Sequence, residues 1–326
     1  MSKASALRPQ IDAAGGVLLP GLIDAHVHVH GPESLDALAR YGVTTGLDMA
    51  AWPAELPASL RGAKGTCDIQ SAGLPAIGPG GAHAHMPKMS KDAIVTDPAL
   101  ARDWVAVRVA EGSEYIKLVF EAPGGGGVPA DAARELVRAA HDAGRQTIAH
   151  VASAAAVTMA IDAGVDFITH VPLGAPIEPA DVTRMLDGGR VAIPTLIMMR
   201  GVAEGMGRPE GFAGSVRTVA ALHEAGVPIL VGTDANDEPG APFAVKHGES
   251  IHEELELLVQ AGLTPLEVLH SATSLTARYF GLDDRGSITP GKRADLLLIA
   301  ADPLADISAT RAVQRVWCAG IEHETA

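Results

Sequence analysis

Residues 131–170 read DAARELVRAAHDAGRQTIAHVASAAAVTMAIDAGVDFITH, and the reading of this stretch decides the fold. In its first third, apolar Ala132, Ala133, Leu136, Val137 and Ala140 recur with a 3.6-residue period, as in a helix that covers a sheet. The stop Asp142-Ala143-Gly144 follows; glycine takes the left-handed backbone beyond a helix end without strain. A short apolar run, TIAHV, comes next, and the pattern repeats at once as Asp162-Ala163-Gly164 and FITHV. Asp187-Gly188-Gly189 then leads into VAIPTL, and Glu224-Ala225-Gly226 into PILVGT. Towards the N-terminus, Arg40-Tyr41-Gly42 precedes VTTGLD and Glu111-Gly112 precedes EYIKLVF, while GLIDAHVHV and TCDIQSAG complete eight. Runs this short and apolar read as buried parallel strands. Eight strands alternating with helices predict an α/β chain folded as a (β/α)8 TIM barrel over residues 21–280. A doubly wound open sheet shares the local grammar, but no G-x-G-x-x-G opens a helix after the first strand.

Beyond residue 280 the pattern changes. GSITPGKRADLLLIA and AVQRVWCAGIE alternate turns with short apolar strands, which predicts a small, abbreviated β-sandwich appendage built from residues 1–20 and 281–326. A net charge of −14 argues against nucleic acid or an anionic membrane surface as partner, since both call for clustered Lys and Arg. The two cysteines, Cys67 and Cys318, lie outside any C-x-x-C pattern, so neither a disulfide framework nor a thiolate metal site is expected. No apolar run reaches the roughly 20 residues that span a bilayer, and MSKASALRPQ lacks a secretory apolar region, so a cytoplasmic protein is expected.

Chemistry concentrates at the predicted strand ends. His26 and His28 lie two apart in the first strand, so both side chains emerge on one face and reach one cation. His30 shares their parity but abuts Gly31-Pro32, where a loop histidine is the alternative. His150 and His170 each lie six residues past their glycine, and Asp234 follows PILVGT. One histidine on an apolar strand is usually a core residue; donors at equivalent places in successive units converge on one barrel mouth. Lys117, flanked by Ile116, Leu118 and Val119, is a lysine where burial is expected. Two readings are open: pairing with a barrel carboxylate such as Asp24, or reaction of the neutral amine with carbon dioxide to give a metal-bridging carbamate.

These residues resemble the amidohydrolase superfamily, through PGLIDAHVHVHG, YIKL, the two strand-end histidines, GTDAN, and the stretch HSATSLTARYFGLDDRGSITPGKRADLLLI. The donor order matches as well: His-x-His on strand one, lysine on four, histidines on five and six, aspartate on eight. The resemblance implies that His26, His28 and Asp234 hold one divalent ion and His150 and His170 a second, with carboxylated Lys117 bridging them and zinc as the metal. GLPAIGPGGAHAH looks most like the prolidase-like Xaa-dipeptidases and N-acyl-amino-acid hydrolases. The chain departs from that subgroup in its short N-terminal β segment, in Ala82 between Gly81 and His83, and in the glycine-rich EAPGGGGVP after the lysine. The last lacks a following Gly-Lys-Ser/Thr, which disfavours a phosphate cradle and suggests a mobile loop at the mouth.

The expected reaction is attack of a metal-bridging hydroxide on an amide carbonyl, in a dipeptide or N-acyl amino acid, with Asp234 as general acid/base. Ester, carbamate or lactone hydrolysis is the alternative, and a phosphotriesterase or a non-catalytic scaffold stands behind it. His83, His85 and Arg200 are candidate substrate contacts, or else ordinary polar loop residues. The negative charge would favour substrates with a basic side chain. The resemblance also implies assembly into a homo-oligomer.

Overall fold

The computed structural model describes residues 10–324 apart from 88, 238–240 and 242. Strand β1 (Val17–Pro20) precedes seven parallel strands: β2 (Leu22–Val27), β3 (Val43–Asp48), β4 (Asp68–Ser71), β5 (Ile116–Phe120), β6 (Thr147–Val151), β7 (Phe167–Thr169) and β8 (Val191–Ile193). Helices alternate with them: α1 (Pro32–Arg40), α2 (Glu55–Leu60), α3 (Ala101–Ala110), α4 (Ala130–Asp142), α5 (Ala154–Ala163), α6 (Pro179–Asp187), α7 (Leu196–Gly205), α8 (Phe212–Ala225), α9 (Glu249–Gln260), α10 (Pro265–His270) and α11 (Thr276–Tyr279). The four helix-stop glycines all take the left-handed backbone, with φ +68° at Gly144, +85° at Gly164, +63° at Gly189 and +83° at Gly226. The architecture is a (β/α)8 barrel, and each of these stops turns the chain from a covering helix into the next strand.

Closure is looser than the sequence suggests. Regular ladders join β2 to β3 to β4 and β5 to β6 to β7 to β8. Between β4 and β5 the seam is a bridge at Ala76 and Leu118, whose hydrogen bonds are Ala76 N to Lys117 O and Val119 N to Ala76 O. The predicted eighth strand, PILVGT, forms an isolated bridge to β8 at Ile229 and no continuous ladder, and Ala235 just beyond it bridges Val27 of β2. Pro228 has no N–H to give, and Thr233 donates its own to the Asp24 carboxylate rather than to a neighbouring strand. The segment still closes the barrel: Leu230 N donates to Ala192 O, Ala25 N to Val231 O, and Asp234 N to His26 O.

Ile23, Ala25, Leu47, Tyr115, Ile148, Phe167, Val191 and Leu230 form the packed barrel interior, continuous with Phe280, which stacks on Phe167. A larger cluster lies between strands and helices. Strict alternation from Ile23 and Ala25 would turn His26 outward, but the β2–β3 register shifts between Asp24 and Val27, and His26 and His28 face the interior.

Strands β9 (Leu296–Ile299), β10 (Val313–Cys318) and β11 (Ile321–Glu322) join β1 in an antiparallel sheet ordered β1-β9-β10-β11. Residues 1–9, 325 and 326 of the expected appendage lie outside the described residues. No helix among the described residues is long and apolar enough to cross a membrane.

Candidate metal centre

Asp234 organises the mouth. Its Oδ1 lies 3.1 Å from His26 Nε2 and 3.0 Å from His28 Nε2, and its Oδ2 lies 4.0 Å from His170 Nε2. Donor atoms of His26, His170 and Asp234 all fall within 4.8 Å of one another. The rings form a continuous arc: His28 to His26 at 5.4 Å between centroids, His26 to His170 at 5.0 Å, His170 to His150 at 4.5 Å, and His150 to His83 at 4.7 Å. Two of these donors, expected inside their strands, lie just beyond the ends of the strands that form. His28 is one residue past β2, and His170 is one residue past β7 with φ +70°. Asp234 (φ +61°) and Thr195 (φ +50°) share that left-handed backbone. Three non-glycine residues held this way at one mouth indicate strain concentrated at a site.

The imidazoles are held from behind. His26 Nδ1 meets Thr169 Oγ1 at 2.5 Å, and His170 Nδ1 meets Thr195 Oγ1 at 2.7 Å, so both Nε2 atoms face Asp234. This is the arrangement by which a second layer orients metal-binding histidines. Burial pulls His26 and His150 well below the usual imidazole range and His170 to about 3, so these rings offer lone pairs rather than charge. Burial also acts to lower His28, but Asp234 beside it wins and raises it. Burial alone would raise the Asp234 carboxyl; the polar contacts of His26 and His28 outweigh it and hold it well below the carboxylate range.

Lys117 is 4 % exposed, and its Nζ has no hydrogen-bond partner among the described residues. Burial draws the ammonium down to about 7 against the opposing pull of Asp234 and Asp48. Pairing with Asp24 is excluded, because that carboxylate accepts from His26 N, Thr233 N and Thr233 Oγ1 instead. Imidazoles that turn Nε2 atoms towards one carboxylate, together with a buried amine without a partner among the described residues, form a donor set that suits a divalent cation.

The outer candidates divide. His83 lies in a short 3-10 turn, Ala82–His85, whose Ala82 N donates to Glu121 Oε1 at 3.0 Å, and its ring stands against His150. His85 in the same turn is exposed. Arg200, expected to be free to hold a substrate carboxylate, points to Glu253 at 2.6 Å; α9 supplies the anion that the sequence order hides. His30 pairs with Asp237 at 3.2 Å in the loop region. The glycine-rich loop is packed rather than open: Gly80 N donates to Gly126 O, and a β-carbon on Gly126 would lie 2.5 Å from Gly80 Cα. Sequence reasoning passed over Thr169 and Thr195, and over Thr233, which bonds Asp24. The available signal was a threonine immediately before a strand-end donor, as in Thr169-His170 and Thr233-Asp234.

Residues 17–321 match the amidohydrolase family. The chain belongs to that family. An uncharacterized protein of Mycobacterium tuberculosis is 33 % identical to this family member over 317 residues, covering 89 % of this chain and 80 % of the relative. The structure of a Xaa-Pro dipeptidase with methionine bound in its active site superposes with a TM-score of 0.84 at 25 % identity, over 99 % of this chain and 91 % of the other. A candidate prolidase of Bifidobacterium longum gives 0.78 at 29 % identity, over 96 % and 82 %. This amidohydrolase is a hydrolase, and its fold is similar to those of these two proteins.

Proposed function

We propose that this amidohydrolase is a metal-dependent enzyme that cleaves the amide bond of a dipeptide or an N-acyl amino acid. One observation carries the reading: three Nε2 atoms from two strand ends converge on Asp234, while the buried Lys117 amine has no partner among the described residues. His26, His28 and Asp234 would hold one cation and His150 and His170 another, with Lys117 supplying bridging oxygens as a carbamate. Neutral Lys117 adds carbon dioxide through its nitrogen lone pair and releases one proton; a pKa drawn to about 7 makes the neutral amine available. Divalent ions held there, zinc being the one suited to imidazole and carboxylate donors, would supply carbonyl polarisation and a more acidic water molecule.

Asp234 takes the proton of the attacking water on its carboxylate and delivers it to the leaving nitrogen. Its two oxygens span the histidines on both sides, so proton pick-up and release need no large movement. In this reading His83, half-buried against His150, is a substrate contact. The likeness to the dipeptidase and candidate prolidase supports an amide as substrate.

The test is metal content per chain, on protein purified with bicarbonate and zinc, followed by a panel of dipeptides, N-acyl amino acids, aryl esters and carbamates. Two ions per parent chain, falling to one or none in Lys117→Ala, with turnover of amides, is the expected outcome. One ion per chain, unaffected by Lys117→Ala, overturns the bridge. Turnover confined to esters or carbamates overturns the substrate class.

A further inference from the structure

Helix α7 begins immediately after Thr195, the position where a threonine side chain ordinarily accepts from the first turn of its own helix. Here it does not. Thr195 sits in the left-handed region at φ +50°, ψ +50° and makes no capping bond; its Oγ1 goes to His170 Nδ1 at 2.7 Å. The open N–H groups of the first turn are taken from another element. Glu254 of α9, fully buried, accepts from Leu196 N with one oxygen at 2.9 Å and from Ile197 N with the other at 2.7 Å. Burial pushes the Glu254 carboxyl up to about 8 against the pull of these two N–H groups, so the cap acts through its hydrogen bonds rather than through charge.

We propose that Glu254 is a positioning residue for His170: by capping α7 in place of Thr195, it frees the threonine hydroxyl to hold the imidazole in one orientation. Glu254 touches neither substrate nor reacting atoms and acts through two backbone N–H groups and Thr195. Its relevance to catalysis rests on the metal reading above; its hold on His170 does not. Without Glu254 the first turn of α7 has unpaired donors, and Thr195, at the N-cap, carries the helix's own capping hydroxyl. Turning the hydroxyl back to the helix releases the ring.

The test uses the full chain with 15N-labelled histidine, recording His170 ring resonances in metal-free protein and zinc affinity by titration. In the parent, His170 shows a single tautomer. Glu254→Ala is expected to give tautomer-averaged His170 shifts and zinc affinity weakened roughly 10- to 100-fold. Glu254→Gln keeps one acceptor and recovers part of both. A folded Glu254→Ala with parental His170 shifts and zinc affinity overturns the proposal, and reduces Glu254 to a purely structural cap. Should Glu254→Ala not fold, Thr195→Val removes the hydroxyl while leaving the Glu254 cap; it is expected to free His170, and an unchanged ring overturns the proposal. A parent chain that takes up no zinc, but loses its single tautomer in Glu254→Ala, sinks the metal reading and upholds the positioning role.

Discussion

Gly232 lies where the closing segment presses on β2. A β-carbon there would stand 2.5 Å from Ile193 Cγ2 and 3.0 Å from the His26 backbone nitrogen, and that nitrogen cannot retreat without moving its strand. Gly232→Ala is therefore expected to cost about 2 kcal/mol of stability, the range of core overpacking, and to shift Asp234 off the histidines. Urea denaturation measures the first effect; a variant as stable as the parent contradicts it. Lys117 makes the opposite case. An unpartnered buried amine is a liability to the metal-free fold, so Lys117→Met is expected to stabilise that form by about 1–2 kcal/mol while impairing metal uptake. Loss of stability in metal-free Lys117→Met would mean the amine has a partner that the geometry does not reveal.

At the scale of elements, α9 serves two neighbours. One side holds α7 through Glu254, and another lays His252 against the 3-10 turn Ile307–Arg311, where its Nδ1 donates to Thr310 Oγ1 at 3.0 Å. Thr310 gives its own proton to Ile307 O, so its oxygen is the acceptor in the histidine bond. Burial, helped by the nearby Arg311 charge, lowers His252 to about 4 from an ordinary 6.5. Between those values the unfolded chain binds a proton that the folded chain refuses. Stability contributed by neutral His252 is thus complete above pH 6.5 and lost as pH falls towards 4, by roughly 3 kcal/mol for a shift of this size. His252→Gln is expected to flatten the dependence of thermal midpoint on pH across that window. An unaltered slope would show that His252 is not the titrating group.

Over the whole molecule, the barrel and the antiparallel sheet are joined through charge as well as packing. Asp68 at the start of β4 accepts from Arg285 Nη1 at 2.9 Å and Arg293 Nη1 at 2.8 Å, and Arg293 continues to Asp295 beside β9. Arg285 is nearly buried and also reaches Thr45 Oγ1 of β3. Removing the shared acceptor leaves a buried guanidinium short of one anion, so Asp68→Ala is expected to cost about 3 kcal/mol. Calorimetry should show one lowered transition; a midpoint equal to the parent's contradicts the clamp.

The sequence by itself determined the repeating unit and most of the inward donors, because both are local. A glycine past each helix needs only its own φ, and a histidine six residues later follows from strand length. The barrel class, the placing of His26, His150, His170 and Asp234 near strand ends, and the burial of Lys117 were legible for that reason. Tertiary structure alone decided what holds them. Thr169 lies 143 residues from His26, and Glu254 lies 58 from Leu196; closure of the barrel brings such pairs together, and no periodicity records them. Arg200 illustrates the same limit, since its charge is visible in the sequence while Glu253, 53 residues on, cancels it only in the fold. The eighth strand reads as regular because its apolar run is intact, yet Pro228, Gly232 and the Thr233–Asp24 bond make it irregular. Hydrogen bonds and steric contacts depend on positions in space, and distant segments acquire those positions only when the ring of strands closes.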